Sequence, residues 1–305
     1  MIRLSYSTLN LLNTCERKFQ LEKLLDPFSE ITETETSPKF IMGHAFEAGC
    51  VEYFLSQNEQ TAIFKAWMRW HSYTECDGYT FPQDSVRSFH ICHTFLKKAF
   101  ITISDLLMDH EIAIFHGKPA IQLSFRINID KTYYYVGYVD IILRNIYTKK
   151  YSVWDFKTTS LNLYDLSPIY LNSVQLVSYS TILDAIVGEE YTSYDVSYFV
   201  ASIKSAEKTV KIYTFEKSLK DRLDFFITLG FDISRMEQMK TLGIYPKREK
   251  GCYSFNQPCF YLGVCSLHSI DTKQKEDVED TTEYQFVFEM DDLIQSHVSR
   301  IAKEK

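Results

Sequence analysis

The sequence predicts an α/β fold with a mixed sheet, and a change of pattern along the chain indicates it. About the first 115 residues carry apolar side chains at helical spacing, and the segments after them alternate with the period of two that is typical of strands. Three consecutive strands, a helix and two further strands then follow, which describes a mixed sheet. Of the 305 residues, 45% are hydrophobic and 24% charged, so the chain can bury a sizeable core.

The predicted helices have an apolar face, and several have a residue that favours a helix end. Ser5 and Ser7 are candidate N-caps for the first helix, Ser167 is the N-cap of another with Pro168 in its first turn, and Gly188 ends that helix. A polar loop at residues 30–38 follows the first helix. The helices are predicted at Ser5 to Leu25, Phe40 to Leu55, Ala62 to Trp70, Asp84 to His110, Ser167 to Val187, Glu216 to Leu242 and Met290 to Ala302.

The predicted strands are rich in β-branched and aromatic residues. They are Ala120 to Ile129, Thr132 to Leu143, Tyr151 to Thr158, Tyr194 to Ile203 and Thr209 to Phe215. The last two are expected to form a hairpin around Lys204 to Glu207. Beyond the strands, Gly251 to His268 reads as an irregular segment with cysteines, and Asp271 to Glu283 as an acidic linker.

Composition and charge exclude some classes of protein and leave nucleic acid open as a partner. No stretch approaches the roughly 18 consecutive apolar residues of a membrane helix, and the first residues lack the pattern of a signal peptide. We therefore expect a cytoplasmic protein without a membrane partner, whose seven cysteines are thiols or metal ligands. With a net charge of −7, a nucleic-acid partner requires a local basic groove or bound metal ions.

Two carboxylates and a lysine stand on neighbouring strands of the predicted sheet. Asp155 and Lys157 are two residues apart and share one face of their strand, while Phe156 points to the core on the other face. If a turn centred between residues 147 and 148 joins this strand to the preceding one, Asp140 lies directly opposite Asp155. The sequence therefore predicts two adjacent carboxylates beside a lysine.

Such a pair of carboxylates is typical of a site for a divalent cation. Adjacent carboxylates repel each other unless a cation lies between them, and oxygen ligands suit Mg²⁺ or Mn²⁺. The ion can polarise a phosphodiester and activate a bound water, which Lys157 can deprotonate or position. The alternative interpretation is a solvated strand face with one surface ion pair.

The residues around these carboxylates resemble a known nuclease family. Asp140 followed by Asp155-Phe156-Lys157 resembles the PD-(D/E)XK nuclease signature. The surrounding Gly-Tyr-Val-Asp and Trp-Asp-Phe-Lys-Thr segments are similar to its RecB-like branch, which includes CRISPR-associated RecB-like exonucleases and phage recombination nucleases. The resemblance extends discontinuously from about residue 5 to about residue 265. It implies a restriction-endonuclease-like core, with a central mixed sheet flanked by helices.

Further residues match motifs of the same branch. Gln175 and Tyr179 match its Q-x-x-x-Y motif, and one helical turn places both side chains on one face. Glu47 stands where the branch often has the histidine of G-x-x-x-H, which makes it a candidate metal ligand with His44 as its competitor. Gln122 stands where many relatives carry Glu. The resemblance implies Mg²⁺ or Mn²⁺ ligands at Glu47, Asp140, Asp155 and the Phe156 carbonyl, and catalytic roles for Asp140, Asp155, Lys157, Gln175 and Tyr179.

Four cysteines are candidates for a second metal site. Cys252, Cys259 and Cys265 are clustered, and three thiols are one short of a four-thiolate site. Some nucleases of the branch have an N-terminal cysteine before a basic-aromatic pair, as Cys15 is here, so the resemblance implies a [4Fe–4S] cluster held by all four. Zinc in the same thiols and unligated core cysteines stay open, with His268 as a substitute ligand. The remaining cysteines are expected to be buried, namely Cys50, Cys76 and Cys92.

The predicted function is metal-dependent hydrolysis of phosphodiester bonds in DNA. By resemblance, the protein is an exonuclease on single-stranded or end-bearing DNA, in recombination or repair of phage or mobile-element type, with a recombination or helicase protein as a candidate partner. RNA stays open as a substrate. One alternative is a catalytically weak or inactive DNA-binding subunit, against which the intact Asp155 and Lys157 argue. Another is a structural Fe–S or zinc protein, which leaves Asp140 and Lys157 unexplained.

The resemblance also implies a domain organisation. A single nuclease domain is predicted at residues 1–268, with a helical part at about 1–115, a catalytic α/β core at about 116–215 and a helix with the cysteine segment at about 216–268. The acidic linker and the C-terminal helix occupy residues 269–305.

Overall fold

The chain divides into two compact units. A computed structural model describes residues 1–25, 38–76, 87–188, 190–204, 209–254, 257–266 and 282–303. One unit consists of Met1–Glu33, Ser124–Gly137 and Leu223–Lys305. The other consists of Thr34–Leu123 and Tyr138–Arg222, and it contains both strands with the predicted carboxylates. The proposed division into a nuclease domain up to residue 268 and a tail stays a prediction.

The described residues form the following helices and strands. The helices are α1 (Tyr6–Thr14), α2 (Glu16–Phe19), α3 (Pro38–Ser56), α4 (Glu59–Cys76), α5 (Phe89–Leu106), α6 (Ser167–Leu171), α7 (Val174–Ser180), α8 (Leu183–Val187), α9 (Leu219–Leu242) and α10 (Met290–Lys303). The strands are β1 (Ile2–Leu4), β2 (His110–Ile112), β3 (Ile114–Phe115), β4 (Lys118–Pro119), β5 (Ile121–Asn128), β6 (Tyr133–Asn145), β7 (Tyr151–Thr159), β8 (Ser193–Ser202), β9 (Val210–Ser218), β10 (Tyr253–Ser254), β11 (Gln257–Pro258) and β12 (Phe286–Glu289).

Eight of the described strands form one mixed sheet. The strand order is β12-β5-β6-β7-β8-β9, and β1 and β2 also pair with β6. The β6–β7 and β8–β9 pairs are antiparallel, whereas β7 and β8 are parallel and are connected through α6, α7 and α8. The predicted α/β fold with a mixed sheet and flanking helices is thereby confirmed.

The register of the β6–β7 hairpin is the one predicted from its turn. Ile141 pairs with Trp154, and Arg144 pairs with Tyr151. The Asn145 side chain accepts hydrogen bonds from the backbone N–H groups of Tyr147 and Thr148, as in an Asx turn. This turn fixes which residues of the two strands face each other, and continuing the ladder by one pair brings Asp140 level with Asp155.

The core of the second unit lies beneath α3, α4 and α5. Phe156 of β7 is buried there, next to Phe54 of α3 and Phe199 of β8, with ring centroids 6.3 and 5.6 Å apart. Because neighbouring residues of a strand point to opposite faces, anchoring Phe156 in the core sends Asp155 and Lys157 to the other side. The prediction that the Phe156 side chain points to the core is confirmed. Cys50 and Cys92 are fully buried in the same core, as expected.

The helix predicted from Ser167 to Val187 is broken into α6, α7 and α8. Hydroxyl groups explain part of the break, because Ser180 and Thr181 donate to the backbone carbonyls of Val177 and Ser178, three residues before each. Ser167 is the first residue of α6 rather than its N-cap; the cap position belongs to Leu166 and has no side-chain hydrogen bond. Gly188 does end α8, in the left-handed conformation with φ of 72°.

Other boundaries also differ from the prediction. The first helix begins after the Ser5 N-cap, as predicted, but breaks at Cys15, where the backbone is extended. The long helix before the sheet begins at Phe89 with Ser88 as N-cap, and it ends at Leu106 because His110 enters strand β2. The segment with the cysteines contains the short β10–β11 hairpin instead of irregular chain alone.

The C-terminal part contributes a strand that the sequence did not indicate. β12 pairs in parallel with β5, from Phe286 opposite Phe125 to Glu289 opposite Asn128. The predicted final helix is confirmed as α10. None of the described helices has the length and hydropathy needed to cross a membrane. Several predictions fall outside the described residues: most of the loop at 30–38, the side chain of Cys76, the turn at 205–208, His268 and most of the acidic linker.

Candidate active site

Asp140 and Asp155 lie on adjacent strands of the β6–β7 hairpin. Asp155 is almost fully buried, with 1% of its surface exposed. Asp140 accepts a hydrogen bond through Oδ2 from the backbone N–H of Phe156, at 3.0 Å. This hydrogen bond ties the first carboxylate to the residue that follows the second one, so both acidic side chains lie at the same point of the sheet.

Lys157 forms an ion pair with Asp155. The Nζ atom lies 2.6 Å from Asp155 Oδ2, and the two side chains are 36% and 2% exposed respectively. Apart from this contact with Lys157, Oδ2 of Asp155 accepts no hydrogen bond from the described residues. The lysine therefore connects a buried negative charge to the solvent-exposed side of the strand.

Gln175 and Tyr179 of α7 complete the surroundings of Asp155. The Gln175 amide donates one hydrogen bond to Asp155 Oδ1 at 2.8 Å and another to the Tyr179 hydroxyl at 3.0 Å. Both side chains are buried. One turn of α7 thus holds an amide donor against the carboxylate, and the tyrosine in turn orients the amide.

Glu47 of α3 contacts Gln122 and His44. The Gln122 amide donates a hydrogen bond to Glu47 Oε1, and His44 Nδ1 lies 3.8 Å from Glu47 Oε2. Gln122 has a left-handed backbone with φ of 51°, which residues other than glycine adopt rarely. In the sequence, Gln122 stands out only as a departure from relatives. Its contact with Glu47 joins residues 75 positions apart and has no local signal.

The acidic residues influence one another strongly. Burial raises the pKa of Asp140 well above its usual value, and the charges of Asp155 and Glu47 add to this shift. Burial also raises the pKa of Asp155, although Lys157 opposes the effect. For Lys157 itself, burial lowers the pKa, but the carboxylates of Asp155 and Asp140 outweigh burial and raise it. The site is therefore a partly buried group of carboxyl groups that repel one another, beside a lysine whose ammonium form they favour.

This donor set fits a hard divalent cation. Three carboxylates come together within electrostatic range, and one of their buried oxygens, Oδ2 of Asp155, accepts no hydrogen bond from the described residues. Oxygen donors with an excess of negative charge are what Mg²⁺ and Mn²⁺ prefer. Within the described ranges, no three His, Cys, Asp or Glu side chains stand as a ready-made metal-binding group. Each carboxylate instead contacts a protein donor, namely Gln122, the Phe156 N–H, Lys157 or Gln175.

The four cysteines predicted to act together line one cavity of the first unit. The lining residues are Cys15, Lys18, Leu21, Lys247, Gly251, Cys252, Cys259, Tyr261, Leu262 and Cys265. A Cβ atom on Gly251 would lie 2.6 Å from the Cβ of Cys15, so only glycine permits this close approach of the two segments. The Cys259 N–H donates to the Cys252 carbonyl at 2.8 Å, which folds the second segment around the cavity.

Comparison with known proteins identifies the family. A model of the PD-(D/E)XK nuclease superfamily matches residues 3–266, so the chain belongs to this superfamily. It is accordingly a nuclease by family, and PD-(D/E)XK nucleases generally use Mg²⁺ or Mn²⁺.

Two solved structures are similar to the chain at low sequence identity. One, described as a candidate exonuclease from Eubacterium rectale, has 13% identity and a TM-score of 0.48, over 87% of this chain and 93% of that one. The other, SSO0001, has 14% identity and a TM-score of 0.28, over 83% of this chain and 95% of that one. Sequence identities and TM-scores this low support no inference about function. No curated protein sequence matches the chain.

Proposed function

We propose that the protein is a metal-dependent DNA exonuclease of the RecB-like branch. The observation that carries the proposal is the pair of the half-buried Asp140 and the buried Asp155, with the Lys157 ammonium 2.6 Å from the second carboxylate. Placing two like charges side by side out of water is costly unless a cation compensates them, and an apolar pair would pack at the same place without that cost. A binding site for a divalent cation therefore explains the pair best.

In this proposal, Glu47, Asp140, Asp155 and the backbone carbonyl of Phe156 hold one or two Mg²⁺ or Mn²⁺ ions. When bound, such an ion polarises the phosphodiester and lowers the pKa of a water molecule. Burial is the main cause of the raised pKa of Asp140, and the charges of Asp155 and Glu47 add to it; a bound cation would relieve this repulsion between the carboxylates.

Lys157 positions the attacking water and stabilises negative charge on the phosphate. The carboxylates of Asp155 and Asp140 raise its pKa, which favours the ammonium form that can donate a hydrogen bond to the water or to the phosphate. Gln175 and Tyr179 are positioning residues in this scheme. The Gln175 amide fixes the Asp155 carboxylate, and the Tyr179 hydroxyl fixes the amide.

The substrate and setting follow from the resemblance to RecB-like nucleases. We propose DNA with a free end or a single strand as the substrate, and DNA recombination or repair of phage or mobile-element type as the process, in the cytoplasm. A recombination or helicase protein is the proposed partner. The match to the nuclease family over residues 3–266 supports a nuclease over the alternative of a structural Fe–S or zinc protein.

The test is cleavage of end-labelled single- and double-stranded DNA with Mg²⁺ or Mn²⁺. Wild type, Asp155→Ala and Lys157→Ala are compared, with Lys150→Ala as a control for an exposed lysine of the same hairpin. We expect wild type and the control to cut, the two site variants to lose cleavage, and the product ladder to show removal from one end. Wild type that is folded and binds DNA but does not cut would favour the inactive DNA-binding subunit.

We further propose that Cys15, Cys252, Cys259 and Cys265 hold a [4Fe–4S] cluster. The support is that all four cysteines line one cavity, although in the described part of the chain their side chains do not already stand together as a metal-binding group. A cluster there would join the N-terminal helix to a segment more than 230 residues away, which constrains the unfolded chain strongly. Iron, sulfide and zinc content of anaerobically purified protein tests it: iron with sulfide supports the cluster, zinc supports the alternative, and neither metal contradicts both.

A further inference from the structure

Three side chains of α3 and α4 form a stack next to Glu47. The His44 imidazole lies against the Tyr73 ring, with centroids 5.7 Å apart and planes inclined by 21°. The Arg69 guanidinium lies over the same tyrosine ring, 4.9 Å from its centroid. His44 Nδ1 is also 3.8 Å from Glu47 Oε2. The stack therefore runs from an exposed arginine to the edge of the carboxylate cluster.

The position of the stack matters because the side chains of the active site offer little positive charge to a nucleic-acid strand. Glu47, Asp140 and Asp155 are three carboxyl groups beside the single ammonium group of Lys157, and the whole chain has a net charge of −7. A polyanionic strand needs fixed positive charge near such a site. Arg69 provides it in an ordered form, since a guanidinium held on a ring face loses less freedom when it binds a phosphate.

We propose that this stack binds a single-stranded segment of the substrate beside the metal-binding carboxylates. Arg69 binds a backbone phosphate, and the imidazole of His44, whose side chain is 43% exposed, supports a base. Tyr73 is a positioning residue that holds both. The inference rests on the proposed nuclease function and narrows its substrate, because the faces of a base are open to a stacking partner in a single strand and covered within a duplex.

The test measures binding of a fluorescein-labelled single-stranded oligonucleotide and of the matching blunt duplex. All proteins carry Asp155→Asn, so that the strand stays intact in Mg²⁺. We expect Arg69→Ala to weaken single-strand binding roughly tenfold and to reduce the slope of log K against log salt by about 0.7. We expect His44→Ala to weaken it roughly 5- to 100-fold, with little effect on the duplex.

Matched variants separate this role from charge and folding. Tyr73→Phe keeps the ring and should bind the single strand like the parent protein. Tyr73→Ala should lose as much affinity for the single strand as Arg69→Ala or His44→Ala. Arg144→Ala is the control, because Arg144 also lies over a tyrosine, Tyr151 at 5.7 Å, at the turn end of the hairpin. The Arg144→Ala substitution should leave binding of the single-stranded oligonucleotide unchanged. Thermal unfolding checks that each variant folds.

The outcomes distinguish this inference from the proposed function. Wild type that cuts DNA, while the Arg69, His44 and Tyr73 variants bind the single strand like the parent, overturns the inference alone. Equal losses for single strand and duplex overturn the single-strand assignment. Wild type that neither binds nor cuts either DNA overturns the proposed function itself.

Discussion

Lys157→Ala leaves the buried charge of Asp155 without its cation, and its cost can be worked out from the structure. Nζ lies 2.6 Å from Asp155 Oδ2, and the aspartate side chain is 2% exposed. Breaking a buried ion pair costs about 3–5 kcal/mol. Because 36% of the lysine side chain is exposed, water screens part of the interaction, and we expect a loss of about 2–3 kcal/mol. That corresponds to a decrease in Tm of about 4–12 °C.

The loss should depend on pH in a defined direction. Burial raises the pKa of Asp155 above its usual 3.8, and removing the lysine raises it further. Between the unfolded and the folded pKa the folded protein binds more protons, so stability falls as pH rises, by at most about 1.4 kcal/mol per pH unit. The difference in unfolding free energy between wild type and Lys157→Ala therefore grows as pH rises towards the folded pKa of Asp155 in the variant, and shrinks as pH falls towards 3.8.

The assay is thermal unfolding followed by circular dichroism, without metal and then with Mg²⁺. Mg²⁺ should restore part of the lost stability, because it replaces the missing positive charge. Lys150→Ala is the control and should change the unfolding free energy by less than about 0.5 kcal/mol. A variant that unfolds like wild type at high pH, or whose deficit does not shrink at lower pH, would refute the reasoning.

Three further predictions concern single residues. Gln175→Ala removes the amide that donates to Asp155, so cleavage should fall roughly 10- to 100-fold with unchanged circular dichroism; cleavage at the wild-type rate would contradict the positioning role. Asp140→Asn removes a carboxylate that repels Asp155 and Glu47, so the metal-free variant should have a higher Tm than wild type, and it should no longer cleave DNA. A Tm below that of wild type would contradict the repulsion between these carboxylates. Glu16→Gln removes the ion pair between the buried Glu16 carboxylate and Arg248. In wild type, this ion pair lowers the pKa of Glu16 below its usual 4.5. The ion pair therefore stabilises the folded state above pH 4.5, and this stabilisation is lost as pH falls through the folded pKa. The urea midpoints of wild type and Glu16→Gln should differ at pH 7 and converge once the pH lies below that folded pKa.

The sequence predicted those parts of the site that depend on local patterns. The β6–β7 hairpin follows from alternation and from the polar connection between the strands, where Asn145 is a residue typical of turns. Its register follows from the turn, and so does the proximity of Asp140 to Asp155. Gln175 and Tyr179 share a face because they are one helical turn apart, and this held although the helix around them is shorter than predicted.

Contacts between distant segments could not be predicted in the same way. The hydrogen bond from Gln122 to Glu47 joins positions 75 residues apart, and the pairing of β12 with β5 joins Ser124 to Gln285 across 161. No spacing rule encodes such pairs, since they depend on how whole elements pack. The left-handed backbone at Gln122 was equally unpredictable, because glutamine gives no sign of it. The contact between Arg69 and Tyr73, by contrast, has a local signal in the sequence, because the two residues are four positions apart on one helix.

The central claim is that the carboxylates of Glu47, Asp140 and Asp155 form the metal site of a nuclease. Titration calorimetry of Mn²⁺ into the folded protein tests it most directly, with wild type beside Asp155→Asn and with Asp195→Asn as the control for an acidic residue on the neighbouring strand β8. We predict binding of one or two ions by wild type and the control, and a loss of that binding in Asp155→Asn. Equal binding by all three proteins would contradict the claim.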